Sequence, residues 1–143
     1  MRFFEKVSYM PNGILPERKT KHSAGYDLAV FEGGIIPPHT TKRFNTGIKA
    51  RMEDNEVLLI FVRSSVGIKR GITLANGTAV IDADFYNNED NEGHIILALH
   101  NNTDESIIIN DREHVAQGVF VNYLCTDDTV VKERKGGIGS TNG

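Results

Sequence analysis

The sequence predicts an all-β fold, a distorted jelly-roll barrel with one short helical segment. Two observations carry this. Short β-branched and aromatic runs recur every 8 to 12 residues or so, separated by Gly, Pro, Asn and Asp turn formers. Only Val66 to Arg70, capped by Ser64 or Ser65 and closed by Gly71, carries the end signals of a helix. With 143 residues, 39% of them hydrophobic, and no repeat or linker, the chain suits one domain with a real core.

Met1 to Val7 reads as an opening strand, followed by turns at Pro11, Asn12, Gly13 and Pro16. Pro16 to His22 is a polar basic loop. It leads into Ser23-Ala24-Gly25 and the strand around Asp27, where small residues let the backbone approach something closely. Ile35-Ile36 and Thr41 to Arg51 supply short strands between turns. Val57 to Val62 (VLLIFV) is continuously apolar and too short for a buried helix, so it reads as a central strand. It delivers Arg63-Ser64-Ser65, where either serine is expected to cap the helix. An arginine fork beside two hydroxyls suits phosphate oxygens, and suits a plain structural cap with a surface arginine equally well.

Asn76-Gly77 predicts a two-residue type I′ hairpin turn, because both residues tolerate φ > 0. After it, Asp82 and Asp84 fall two apart, which on a strand puts both carboxylates on one face. Edge protection by two solvated acids is the bland explanation; a reactive pair is the other. His94 to His100 and Ser106 to Ile109 are further strands. Those two histidines are too far apart along an extended chain to share a metal. Val115 to Leu124 is the last strand, with Gln117 as a specific contact or a satisfied edge amide. Cys125, the single cysteine, reads as a small buried strand residue. Lys132 to Gly143 has four glycines and no apolar period, which suits a flexible arm. The expected division is therefore a domain over 1–131 and an arm over 132–143.

Sixteen basic against nineteen acidic residues give a net charge of -3, which argues against a general grip on nucleic acid or an anionic membrane. The longest apolar run is too short to span a bilayer and the N-terminus lacks a signal-peptide pattern, so a cytoplasmic location is expected.

Ala24-Gly25-Tyr26-Asp27-Leu28, Arg63-Ser64-Ser65-Val66-Gly67, Asn76 to Tyr86, Val115-Ala116-Gln117 and Gly136-Gly137-Ile138-Gly139-Ser140-Thr141 resemble, in this order, the five motifs of the trimeric dUTPases. The short insertion Asn87 to Glu92 resembles a loop of versions from Gram-positive bacteria and their phages. The resemblance implies a homotrimer with active sites shared between subunits, and hydrolysis of dUTP to dUMP and pyrophosphate, which limits uracil in DNA and supplies dUMP. Asp82 would be the general base that activates water for attack on the α-phosphorus. Asn76, Val80 and Ile81 would read the uracil edge, and Phe85, where the family usually has tyrosine, would pack under the deoxyribose. Arg63, Ser64, Ser65 and Gln117 would bind phosphates. Mg²⁺ would be held mainly by the triphosphate and water, with Asp27 acting on it indirectly through water.

The resemblance also implies that the arm, through Arg134, Gly137, Ile138 and Ser140, closes over a nucleotide bound at other subunits. Ile138 stands where a phenylalanine usually stacks on the base. Arg134 sits one residue nearer the glycines than in the commonest arm, so either it or Lys135 meets the γ-phosphate. His114 replaces an arginine of the fourth motif, with Arg112 as a substitute on the same strand face. Two other functions share the fold. A dCTP deaminase would need a glutamate that His94 to His100 does not offer. A nucleotide-controlled regulatory or protein-binding module would not need Asp82.

Overall fold

The computed structural model describes residues 1–128 and 132–137. Among the described residues, eleven strands form four small antiparallel sheets. In chain order they are β1 (Phe3–Lys6), β2 (Tyr26–Ala29), β3 (Gly34–Ile36), β4 (Thr41–Asn45), β5 (Ile48–Arg51) and β6 (Glu56–Val62), then β7 (Ile72–Leu74), β8 (Ala79–Asp82), β9 (Ile96–Asn101), β10 (Ile107–Ile109) and β11 (His114–Asn122). One helix, α1 (Ser64–Arg70), follows β6, and a 3₁₀ turn (Ala83–Phe85) follows β8. The expected jelly-roll-like all-β fold is present.

The sheet that positions the site has the order β2-β11-β6-β8. β6 is interior, as its apolar run predicts, and β11 lies along its whole length from Ala116 opposite Val62 to Asn122 opposite Glu56. β8 pairs only with β6, with Leu59 opposite Val80 and Val57 opposite Asp82. A second sheet, β4-β9-β7, faces the same core, in which β9 alternates so that Leu97, Leu99 and Asn101 point inward. Leu28, Leu58, Ile60, Ile72, Leu97 and Leu99 are wholly buried there. Buried Asn101 is satisfied: its amide donates to the Ile36 and Glu105 carbonyls at 2.9 and 2.7 Å and so ties the β10–β3 ribbon to β9.

Several local expectations are overturned. Asn76-Gly77 does not close a hairpin, since β7 pairs with β9 and β8 with β6. The Gly77 N–H donates to the Leu74 carbonyl at 2.9 Å, and only Gly77, at φ 74°, has positive φ. The pair therefore ends an ordinary turn that carries the chain between two sheets. Arg63, not a serine, occupies the N-cap of α1, which has no side-chain cap; Gly71 ends the helix in the left-handed region at φ 69°, as expected. Cys125 is exposed, because β11 ends at Asn122. Asp84 does not share a strand face with Asp82, since the 3₁₀ turn begins at Ala83.

Candidate functional site

β8 and the turn before it form one wall of a cleft of about 340 Å³. Asn76, Val80 and Ile81 line it beside Asp82 and Phe85, with His94, Arg43 and Arg134 around them. β8 is an edge strand, so one row of its backbone N–H and C=O groups faces away from β6. Such an edge can present backbone donors and acceptors to a flat polar ligand, much as an edge strand accepts a peptide. Phe85 is buried and forms the apolar floor.

Asp82 and Asp84 converge by another route than strand alternation. The 3₁₀ turn swings Asp84 back beside Asp82, and the Arg134 guanidinium donates to both, at 3.0 Å to Asp82 Oδ2 and 3.2 Å to Asp84 Oδ1. Arg134 is itself nearly buried, with its guanidinium carbon 5.0 Å from the centre of the Phe85 ring. It also donates to the carbonyls of Gly136 at 2.8 Å and Gly137 at 3.1 Å. The arm segment 132–137 thus lies on its own chain's cleft, whereas the family resemblance implies an arm over a neighbour's. Ile138 and Ser140 lie outside the described residues.

The other predicted residues gather elsewhere. Asp27, Arg63, Ser64, Ser65 and Gln117 line a separate hollow of about 370 Å³, together with Lys19. The register explains it: Gln117 on β11 stands opposite both Asp27 on β2 and Phe61 on β6, two residues before Arg63. A Cβ at Gly25 would lie 2.5 Å from the Gln117 side-chain oxygen and would displace that amide; this is the close approach that the small residues before β2 predict. The Arg63 guanidinium donates to the His114 carbonyl at 3.1 Å and stands 3.7 Å from Asp27. Arg112 does not share a strand face with His114, where β11 begins. At φ 63° it turns away before β11, stacks 4.1 Å from the Phe31 ring centre and donates to the Asn12 carbonyl at 2.6 Å.

The two clusters sit at opposite ends of β6. Asp82 is opposite Val57, and Arg63 lies six residues further along, which at 3.3 Å per residue is roughly 20 Å.

A family model described as dUTPase matches residues 11–141. The chain belongs to the dUTPase family. It is 45% identical to a deoxyuridine 5'-triphosphate nucleotidohydrolase of Lactococcus lactis, over 99% of this chain and 97% of that protein. A crystal structure of dUTPase from Streptococcus mutans superposes with a TM-score of 0.81 at 42% identity, covering 88% of this chain and 99% of that one. The dUTPase of a Staphylococcus aureus phage, at 21% identity, shares the fold with a TM-score of 0.76 over 93% of this chain and 97% of its own; a variant of it coordinates a structural Mg(II) ion.

The residues of this dUTPase-family chain fit a metal held mostly by its ligand. Among the described residues no three acidic, histidine or cysteine side chains cluster as a cage. Asp27 Oδ2 is nonetheless buried without a hydrogen-bond partner, and a carboxylate oxygen of this kind suits a water on a hydrated cation. Lys19 Nζ, at 3.8 Å from that oxygen, belongs to the basic loop but was not singled out by the sequence. Among the described residues no helix is long and apolar enough to cross a membrane.

His94 lines the cleft although the sequence did not assign it there. Its Nε2 accepts from the Gly47 N–H at 2.9 Å, so the proton is on Nδ1, which donates to the Tyr9 hydroxyl at 2.9 Å. Burial holds its pKa below the ordinary 6.5. The folded value is depressed, so this contribution to stability is intact above the unfolded value of 6.5 and is lost as pH falls through the folded one. The urea midpoint should therefore drop between pH 7.5 and 5, and less so in His94→Gln. An equal drop in both would remove His94 as the cause.

Proposed function

We propose that this chain hydrolyses dUTP to dUMP and pyrophosphate by water attack on the α-phosphorus. The observation that carries the reading is the cleft itself, in which a backbone edge, an amide, an aromatic floor and Asp82 lie in sequence along β8. The β8 edge and Asn76 bind the uracil edge, and a cytosine would meet mismatched donors and acceptors. Thymine's methyl is excluded by shape. The ring of Phe85 leaves a ribose 2′-hydroxyl unpaired, which disfavours UTP by about 1 to 3 kcal/mol.

Asp82 takes a proton from water, the hydroxyl oxygen bonds to the α-phosphorus, and the bond to the β-phosphate oxygen breaks to release pyrophosphate. Arg63, Ser64, Ser65 and Gln117 supply donors to the phosphate oxygens. Mg²⁺ bound to the triphosphate, with Asp27 acting through water, would neutralise phosphate charge.

A triphosphate is far shorter than the roughly 20 Å between Asp82 and Arg63 in one chain. The site is therefore built from Asp82 of one chain and Arg63 of another, in a closed homotrimer whose copies repeat one heterologous contact. Residues 132–143 act as the arm, which excludes water once nucleotide is bound.

The test is pyrophosphate release with Mg²⁺ from dUTP, dCTP, dTTP and UTP. Release from dUTP alone is expected. Tight dUTP binding without release would favour the nucleotide-controlled binding module instead.

A further inference from the structure

We propose that Lys49 is a positioning residue for the cleft: its ammonium grips both ends of the loop Asn87 to Glu92 and so holds Phe85 as the cleft's floor. Its consequence for substrate choice rests on the proposed function.

Lys49 lies on β5, opposite Glu5 of β1, and is only 7% exposed. A lysine so buried needs its charge matched and its N–H groups occupied. Both needs are met by the loop and by β1. Nζ donates to Asn87 Oδ1 at 2.6 Å and to Glu92 Oε1 at 3.2 Å, and stands 3.5 Å from Glu5 Oε1. It also lies 5.2 Å from the centre of the Tyr86 ring, whose hydroxyl donates to the same Glu5 oxygen at 2.6 Å. One cation is thus the common partner of Tyr86, Asn87 and Glu92.

Asn87 and Glu92 are the first and last residues of the loop, and the Asn87 N–H donates to the Glu92 carbonyl at 2.7 Å. Both have left-handed backbones, at φ 57° and 63°. For a glutamate that conformation is unfavourable and has to be held by its surroundings. Lys49 holds it from one side, and the Ser8 N–H, which donates to Glu92 at 3.0 Å, from the other. The loop in turn fixes Phe85. The Asn88 amide donates to the Phe85 carbonyl at 2.7 Å, and a Cβ at Gly93 would lie 2.7 Å from the same oxygen. Of these residues only Phe85 lines the cleft, so Lys49 acts through it.

The consequence is selective. Phe85 is assigned to the sugar, whereas the uracil edge is assigned to Asn76 and to β8, which pairs with β6 and not with the loop. A looser Phe85 admits a ribose 2′-hydroxyl with less loss and leaves the reading of the base unchanged.

The test compares the wild-type chain with Lys49→Met, which keeps the length of the side chain and removes its charge, and with Glu92→Gln at a partly exposed position. In nucleotide-free protein, amide exchange over residues 86–93 should speed up roughly tenfold in Lys49→Met and less in Glu92→Gln. The preference for dUTP over UTP, as a ratio of kcat/KM, should fall roughly tenfold in Lys49→Met, while the preference for dUTP over dCTP stays as in wild type. Adding Glu92→Gln to Lys49→Met should lower the first preference no further, since both act through one ion pair. Should Lys49→Met not fold, the same selective shift in Glu92→Gln decides. Unchanged exchange, an unchanged preference for dUTP over UTP, or two preferences that fall together as in a general loosening would each overturn the proposal. Exchange is read without nucleotide, so it tests the anchor even if the chain does not hydrolyse dUTP. A wild-type chain that hydrolyses dUTP and UTP alike would strike the role given to Phe85 and leave exchange to decide the anchor.

Discussion

Asp82→Asn should lower kcat for dUTP by roughly 10² to 10⁴-fold, the range lost when a positioned general base is removed. Asparagine keeps the shape of the side chain and an acceptor that can orient water, but it cannot take the proton. Binding should survive, because the contacts assigned to the nucleotide come from Asn76, the β8 backbone, Phe85 and the Arg63 cluster. The fold should survive too. Asp82 is half exposed, and its pair with Arg134 is at the surface on the carboxylate side, where such a pair is worth about 0 to 1 kcal/mol. Single-turnover hydrolysis, alongside calorimetric titration with a non-hydrolysable dUTP analogue, separates the two effects. A kcat within tenfold of wild type would remove Asp82 from the role of base.

The elements that were legible in the sequence are those whose pattern is local. The continuous apolar run of Val57 to Val62 could only be an interior strand, and the structure places it between β11 and β8. Gly25 announced a close approach and meets Gln117. The resemblance grouped Asn76, Val80, Ile81, Asp82 and Phe85 in one stretch, and they share one cleft. The misreadings have a common origin in what surrounds a local signal. Asn-Gly favours a hairpin only when the flanking strands pair, and here they belong to different sheets. Asp84 reaches Asp82's partner through a 3₁₀ turn that no alternation pattern reveals. Arg112 left its expected strand face because the backbone there is left-handed and β11 is irregular between His114 and Ala116.

The largest functional consequence of the geometry concerns two chains rather than one. Asp82 and Arg63 stand roughly 20 Å apart at opposite ends of β6, so under the proposed function one nucleotide takes Asp82 from one chain and Arg63 from another. Asp82→Asn lacks the base, and Arg63→Ala lacks a guanidinium fork on the phosphates; each alone should be close to inactive on dUTP. The two defects lie in different parts of each shared site. In an equal mixture with free subunit exchange, a site is intact when its Asp82 comes from an Arg63→Ala chain and its Arg63 from an Asp82→Asn chain. That combination has a probability of about one quarter for random assembly of a site from two copies.

The decisive measurement is pyrophosphate release from dUTP by such a mixture, after subunit exchange has been established with mass-tagged chains. Recovery to about a quarter of the wild-type rate per chain is the predicted result for sites built from two copies. A mixture no more active than the two separate variants, despite demonstrated exchange, would contradict a site shared between Asp82 of one chain and Arg63 of another.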